Sequence, residues 1–429
     1  MYSNISSGGY MPKEKIDYSN FPDKNILCVD MKSFYASIEA VDRNLDPWEV
    51  PLAVIGNKQK KGGVVLAATP AMKEKYNLGT ANRVYQIPDD PEIILVEARM
   101  GLYLEVSMEI TRLFNNFVPL DSIHVYSIDE SWLKLADDKN KSWKTAQTIK
   151  NELMEKFQLP SSMALGPNMF LSKVAMDVEG KKKGLVRWTY NDVKDKLWPL
   201  PLKKSWGIGS RLEKRFRKVG VKTIGDLAHL PLEYLENKFG IMGNQLYYHA
   251  WGIDLSKVEG HYLDKKVSIG RGITLYKDYS DIEEIKTVIF ELSEEVAKRA
   301  RRNNVVGKTI SLVIGYSKNE LKKGFQRQLT INQHTNFTFD IYNSCLKLLK
   351  ENYEGEKVRK ISINISNLVS DKKIQLNLFN DRNKQLQLAR VKDDLNKRFN
   401  HKALFYGRSL KKSSIRERIN TTIGGHNAW

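Results

Sequence analysis

Two stretches decide the fold: NILCVDMKSFYASIE (Asn25–Glu39) and IHVYSIDESWLKL (Ile123–Leu135). In the first, ILCV is a short apolar strand that ends on a carboxylate, Asp30. Phe34, Ile38 and Val41 then recur at i, i+4 and i+7, the spacing of one helix face. In the second, two alternating strands flank a polar tip, Asp129–Glu130. A carboxylate at a strand end beside a core costs desolvation energy unless it is paired or bound to a cation. Neither motif offers a Lys or Arg placed to neutralise these acids. Asp30, Asp129 and Glu130, with no His/Cys cluster, suit Mg²⁺, a hard ion that prefers oxygen ligands. Two such ions, about 3.5–4 Å apart, activate an attacking hydroxyl and stabilise a leaving pyrophosphate. The alternative is that Asp30 caps the following helix and Asp129–Glu130 is a polar turn.

Composition narrows the partners. At 429 residues the chain exceeds one hydrophobic core, and roughly two to four domains are expected. Lys and Arg number 69 against 50 Asp and Glu, a net charge of +19 that favours a polyanion: DNA, RNA or an acidic lipid surface. A merely soluble basic protein is the alternative. No apolar run approaches the roughly 18 residues of a membrane span. The start, MYSNISSGGYMPKEKIDYSN, lacks an apolar signal core. Cys28 and Cys345 give neither a disulfide framework nor a CxxC zinc pair. An intracellular, membrane-free protein is expected.

Along the chain, PLAVIG and GGVVLAAT read as a hairpin, and TPAMKEKY opens a helix with Thr69 as N-cap and Pro70 in its first position. Ile93 to Val96 is a strand, Arg99 to Phe117 a long helix, Trp143 to Phe157 a helix and Met163 to Leu165 a strand. From about Asn191, short helices are joined by GIG, VGVKTIG and KFGIMG. After Gly260 the order is β-α-β-β-α-β, the split βαβ arrangement. TISLVIGY and KISINIS alternate, so one sheet face is core and the other is wet, bearing Lys, Ser, Thr and Asn.

Four segments carry a family resemblance: VDMKSFYASIE (Val29–Glu39), YSIDESWL (Tyr126–Leu133), LGPNMFLSKVAMD (Leu165–Asp177) and SIGRGITL (Ser268–Leu275). They resemble, in order and spacing, the motifs of the Y-family DNA polymerases, which include DNA polymerase IV and the UmuC group. The match runs from roughly Asn25 to Phe379. WGIG, TIGDLAHLP and FGIMGNQLYYHAWGIDLS are similar to the UmuC-like branch of Gram-positive bacteria and their mobile elements.

The resemblance implies an α+β multidomain right hand. A mixed α/β palm would span 20–50 and 89–190, with small fingers at 51–88. A helical thumb with a helix-hairpin-helix would span 191–260, a βαββαβ little finger 261–368, and a basic tail 369–429. It implies low-fidelity translesion synthesis on primer-template DNA with dNTPs, during DNA repair and the SOS response, in a cytoplasmic, nucleoid-associated setting. Asp30, Asp129 and Glu130 would be catalytic and, with the Met31 carbonyl, would bind two Mg²⁺ ions. Tyr35 would be a steric gate against the ribose 2′-OH, with Phe34 beside it. Lys73 would contact the triphosphate with Thr69. Either Lys181 or Lys182 would take the phosphate-binding lysine role. The family often has T-x-N-Y where this chain reads A-A-T-P, so one triphosphate hydroxyl contact is missing or supplied by Thr69.

WGIGSRLEKRF (Trp206–Phe216) reads as a helix-hairpin-helix-like element. Gly207 and Gly209 open backbone N–H groups to a phosphate, with Arg211 and Lys214 behind them. In the little finger, Ser268 and Arg271 are expected on DNA. IQLNLFND (Ile374–Asp381) matches the Q-L-x-L-F peptide that docks bacterial polymerases on the β sliding clamp, with Gln375, Leu376, Leu378 and Phe379 as anchors. From Asp371 onward, 14 Lys/Arg stand against 5 Asp/Glu. Within this tail LQLARVKDDLNKRF is amphipathic; it either binds a small accessory protein or folds back on the core. A two-metal nuclease or cyclase would not need the gate, the charge and the clamp peptide together. A non-enzymatic scaffold would have no reason to keep three unneutralised acids.

Overall fold

The computed structural model describes residues 16–56, 62–258, 267–373, 382–399 and 403–428. They fall into two compact units, one within Met1–His261 and His426–Trp429, the other within Tyr262–Gly425.

The first unit is built on β1 (Ile26–Met31), α1 (Phe34–Val41), β2 (Leu52–Ile55), β3 (Val65–Ala68), α2 (Pro70–Tyr76), β4 (Ile94–Glu97) and α3 (Met100–Asn115). It continues with β5 (Ile123–Val125), β6 (Glu130–Lys134), α4 (Lys139–Phe157), β7 (Ser161–Gly166), α5 (Met169–Ala175) and β8 (Leu185–Arg187). Its main sheet runs β5-β6-β1-β7-β8. As the central strand, β1 is flanked antiparallel by β6 and β7. It is buried on both faces, which is why its sequence reads as an unbroken apolar run. Leu27, Val29 and Met31 enter one core with Phe34, Tyr103 and Phe114. Ile26 and Cys28 enter another with Trp132, Ala164 and Phe170. The short β8, not apparent in the sequence, pairs parallel with β7. A separate three-stranded sheet, β3-β2-β4, has β2–β3 as the expected antiparallel pair and β4 parallel to β2.

Four further helices follow: α6 (Ser210–Arg217), α7 (Ile224–Ala228), α8 (Leu232–Phe239) and α9 (Ile241–Ala250). Gly207 turns the chain into α6 at φ +92°, a conformation that disfavours a side chain. Gly243 lets α9 lie against α8: an added Cβ would sit 1.9 Å from the Leu235 carbonyl oxygen. Trp251, buried, and Trp198, partly buried, donate to the Ala228 and Ala250 carbonyls at 2.9 and 3.0 Å.

The second unit comprises β9 (Ser268–Tyr279), α10 (Ile282–Arg302), β10 (Val305–Tyr316), β11 (Gly324–Thr335), α11 (Thr338–Asn352) and β12 (Val358–Ser366). The antiparallel sheet runs β11-β10-β12-β9, so the first βαβ pair is split by the last strand. Ile285, Ile289, Leu292 and Val296 of α10 are fully buried, each contributing roughly 1.5–3 kcal/mol. Ile310, Leu312, Ile361 and Ile363 meet them from the sheet. The opposite face carries cross-strand rows of small polar side chains, including Gln328, Ser311 and Asn364, and Thr330, Thr309, Ser366 and Ser268.

The described part of the tail folds back on this unit. In α12 (Arg382–Arg398), Asp393 accepts from Arg301 Nε at 2.7 Å and Nη2 at 3.1 Å. Further on, Ile415 is buried in the unit's core, and its N–H and the Ser414 hydroxyl both donate to Glu291 at 2.6 Å. Among the described residues no helix is long and apolar enough to cross a membrane. Arg301 is 5 % exposed and also donates to the Asn336 carbonyl at 2.7 Å. Arg301→Ala should therefore destabilise this unit by about 3 kcal/mol, the cost of breaking one side of a buried ion pair. Urea unfolding would show this as a lower midpoint, and an unchanged midpoint would remove the tail docking as a stabilising contact.

Candidate active site

Strand pairing assembles the acidic half of the site. Asp30 leaves β1 directly opposite Glu130 on β6. The Met31 N–H donates to the Asp129 carbonyl at 2.9 Å, locking the polar tip against the end of β1. The Asp129 carboxylate accepts from the Ser127 hydroxyl at 2.6 Å. The Asp30 carboxylate makes no hydrogen bond or ion pair among the described residues. Burial pushes its carboxyl up to about 6, with Lys181 and Lys173 opposing and Glu130 and Asp129 adding to the rise. This helix start does not use Asp30 as a cap: Ser33 occupies the N-cap position, in the left-handed region at φ 52°.

Glu130 differs from expectation. A cation does reach it, from outside the motif: Lys173 on α5 lies 2.8 Å away and also meets Asp177 at 3.1 Å. Burial alone would lower this ammonium; the hydrogen bond to Glu130 and the nearby Cys28, Glu130 and Asp177 hold it above its ordinary value. The buried Cys28 thiol also points at Glu130, at 3.7 Å. Among the described residues, no three His, Cys, Asp or Glu side chains are grouped closely enough to hold a metal ion. Asp30 nonetheless fits one: it is an oxygen donor, partly buried and without a partner. Glu130 would have to turn from Lys173 to join it.

A cationic half faces these acids. Lys73 on α2 donates to the Ser33 hydroxyl at 2.8 Å; burial lowers its ammonium, as does Lys181, while Asp30 opposes. After α5 the helix runs through a π-helical segment, Met176–Gly180, into Lys181–Lys183. Such segments recur at functional sites because they re-aim side chains. Lys181 pairs with Asp177 at 2.6 Å and is electrostatically coupled to Asp30. Lys182 is exposed and makes no ion pair among the described residues, and Lys183 turns to Glu179.

Tyr35 is partly exposed, and its ring stacks on Tyr103 with centroids 4.5 Å apart and planes at 13°. Two expectations, for Thr69 and Arg271, need correction, and Phe34 packs beside Tyr35 with ring centroids 6.0 Å apart. Thr69 is fully buried: its hydroxyl donates to the Val50 carbonyl and accepts from the Leu52 and Met72 N–H groups, so it caps α2 and ties down β2 instead of reaching a phosphate. Phe34 is 3 % exposed and packs in the core, so its side chain is not available to a nucleotide. Arg271 shares the face of Ile269 and Ile273 and points to the helical side of its sheet, where it donates to the Thr422 hydroxyl at 3.2 Å. Burial lowers its guanidinium, with Arg299 next among the causes.

Elsewhere, Gly207, Gly209, Arg211 and Lys214 are exposed, and nothing lies within 4 Å of a Cβ built on either glycine. Ser268 is exposed on the polar sheet face. Gln375, Leu376, Leu378 and Phe379 lie outside the described residues.

One cluster escaped the sequence reading. Glu39, fully buried on α1, accepts from Arg99 at 3.0 and 2.7 Å, from the Tyr103 hydroxyl at 2.6 Å and from Arg43. Burial would raise this carboxyl; the hydrogen bonds, that from Arg99 foremost, hold it below its ordinary value. Its only sequence signal was an acid beside an apolar helix face.

The raised Asp30 carboxyl has a stability consequence. Between its ordinary 3.8 and about 6, the folded chain holds a proton that the unfolded chain has lost. Stability therefore falls as pH rises through that window. Asp30→Asn should be more stable than the parent at pH 8, on the order of 2 kcal/mol, with the gain vanishing below about pH 4. Metal-free thermal melts at the two pH values check this; equal melting temperatures at pH 8 would show that Asp30 is already compensated.

Comparison with known proteins follows the same layout. Residues 29–177 match the impB/mucB/samB family, 266–378 its C-terminal domain, 190–221 the IMS family HHH motif and 206–254 the thumb domain of DNA polymerase-iota. The chain is 48 % identical over 415 residues to UvrX of Bacillus subtilis (strain 168), a protein named for UV-damage repair, covering 96 % of this chain and 99 % of that one. It is 36 % identical over 411 residues to DNA polymerase IV 2 of the same organism, covering 94 % and 99 %. The fold is similar to that of a Y-family DNA polymerase chimera, Dbh-Dpo4(243-245)-Dbh, at TM-score 0.67 and 22 % identity over 80 % of this chain and 99 % of that one. With acids at the strand ends, lysines facing them and this similarity along nearly the whole chain, the protein belongs to the Y family of DNA polymerases.

Proposed function

We propose that this polymerase performs low-fidelity translesion synthesis, adding dNMP from dNTP to a primer 3′-OH on damaged templates. The observation that carries this reading is Asp30 placed opposite Glu130 at one end of the main sheet, with Lys173 on Glu130 and Lys181 on Asp177 beside them. Asp30, Asp129, Glu130 and the Met31 carbonyl would hold two Mg²⁺ ions, which supply Lewis-acid activation of the phosphoryl group and the attacking hydroxyl. Lys73 and Lys181 would neutralise and orient the triphosphate. Lys173 would keep Asp177 as its partner when Glu130 turns to a cation. Tyr35 would close the space beside the sugar, so that a 2′-OH clashes with its ring.

Grip on DNA would be independent of sequence. The exposed Gly207 and Gly209 backbone, with Arg211 and Lys214, would meet phosphates, and the Ser/Thr/Asn/Gln face of the second sheet would add uncharged hydrogen bonds. Phosphate contacts make such binding strongly salt-dependent. Gln375, Leu376, Leu378 and Phe379 would dock the β sliding clamp and raise processivity through effective concentration. A small accessory protein and a nucleoid-associated, cytoplasmic setting belong to the same reading.

Primer extension with Mg²⁺ and dNTPs on intact and abasic templates tests the proposal. Asp129→Ala/Glu130→Ala should lose at least about 10²-fold in rate while still binding DNA. If neither the parent nor the variant extends the primer although both bind it, the chain is a DNA-binding scaffold or lacks a partner. Mg²⁺ should raise the melting temperature of the parent but not of Asp30→Asn, because a ligand stabilises only the fold that binds it. Tyr35→Ala should admit ribonucleotides about 10- to 100-fold better; unchanged dNTP/rNTP selectivity would end the gate assignment.

A further inference from the structure

Helices α1 and α3 are joined by two matched pairs. Tyr35 and Glu39 sit four residues apart on α1, and Arg99 and Tyr103 are four apart on the other side, at the N-cap and first turn of α3. Residues at that spacing share a helix face. Across the junction, Tyr35 stacks on Tyr103 at 4.5 Å, and Glu39 takes two hydrogen bonds from Arg99. The Tyr103 hydroxyl closes the square by donating to Glu39 at 2.6 Å. Tyr103 and Glu39 are both fully buried, whereas Tyr35 is partly exposed.

We infer that Tyr103 is the positioning residue of the sugar gate, with Glu39 as its anchor. This rests on the reading of Tyr35 as the gate. A partly exposed ring can tip away from an incoming 2′-OH unless something behind it resists. Tyr103 supplies that backing, at van der Waals stacking distance and nearly parallel. Its own plane is fixed because its hydroxyl is held by a carboxylate that Arg99 and Arg43 also hold. The depth of the gate is thus set by the α1–α3 junction as well as by the Tyr35 rotamer.

The test measures kcat/KM for a dNTP and its matching rNTP in the full chain. Tyr103→Leu should lower dNTP-over-rNTP selectivity by about tenfold and leave dNTP incorporation nearly unchanged. Tyr103→Phe, which keeps the ring but loses the anchor, should lower selectivity by about threefold. The double variant Tyr35→Ala/Tyr103→Leu should match Tyr35→Ala alone, since the backing acts only through the gate. Equal losses for dNTP and rNTP in Tyr103→Leu, or additive effects in the double variant, would overturn the inference. Should Tyr103→Leu fail to fold, Tyr103→Phe decides, and selectivity at the parent level sinks the anchor. If Tyr35→Ala itself leaves selectivity unchanged, the gate reading fails first, and the result is told apart from a failure of Tyr103.

Discussion

The structure of the catalytic unit turns on one strand. Residues Ile26 to Val29 are buried on both faces between β6 and β7, and the strand runs on to Asp30 before the chain turns into α1. Double burial fixes the register, because a one-residue slip would exchange the two cores. That register puts Asp30 opposite Glu130, so two carboxylates lie at one sheet end, where Lys173 pairs with Glu130 and, among the described residues, no lysine pairs with Asp30. The remaining acid, Asp30, is held where it is costly to ionise. Apolar burial elsewhere in the sheet offsets that cost, and the result is an oxygen donor already in place for a cation.

Lys173 explains how the site tolerates this arrangement. It is 9 % exposed and shared between Glu130 and Asp177, while Lys181 shares Asp177 from the other side. An isolated buried charge would be severely penalised. Here acids and lysines alternate, and if Glu130 turned from the ammonium to a cation, Lys173 would keep Asp177 as its carboxylate partner. Two hydroxyls, Ser127 on Asp129 and Ser33 on Lys73, add hydrogen bonds to the site without adding charge.

Sequence alone made the elements of both units legible. The apolar run of β1, the alternation of β10 and β12 and the i, i+4 spacing of α10 each encode a buried face directly. Side-chain direction at the site was less legible. Arg271 follows Gly270 in a motif that resembles a DNA-binding strand, yet strand parity assigns it to the face of Ile269 and Ile273. Thr69 was recognised as an N-cap, and that same role consumes the hydroxyl that a phosphate contact would need. Lys173 and Glu39 lie inside quoted motifs, but Glu130 and Arg99, which they meet, are 43 and 60 residues away. Only the folded register and the α1–α3 junction bring them together.

The nucleotide side of the site suits loose selection. Where the related pattern places an arginine, this chain has Lys73, whose ammonium donates to the Ser33 hydroxyl. A guanidinium fork holds a phosphate in one plane, whereas an ammonium is a point charge on a flexible stem that can follow a displaced one. The strands behind it are only four residues each, and Thr69 fastens two of them by its buried hydroxyl. On the proposed reading, the braced part of the site would lie below the sugar, where Glu39 and Tyr103 back the Tyr35 ring, and the triphosphate would be held more loosely. Such a distribution would discriminate ribose from deoxyribose while demanding little of the base pair, the balance that copying a damaged template requires.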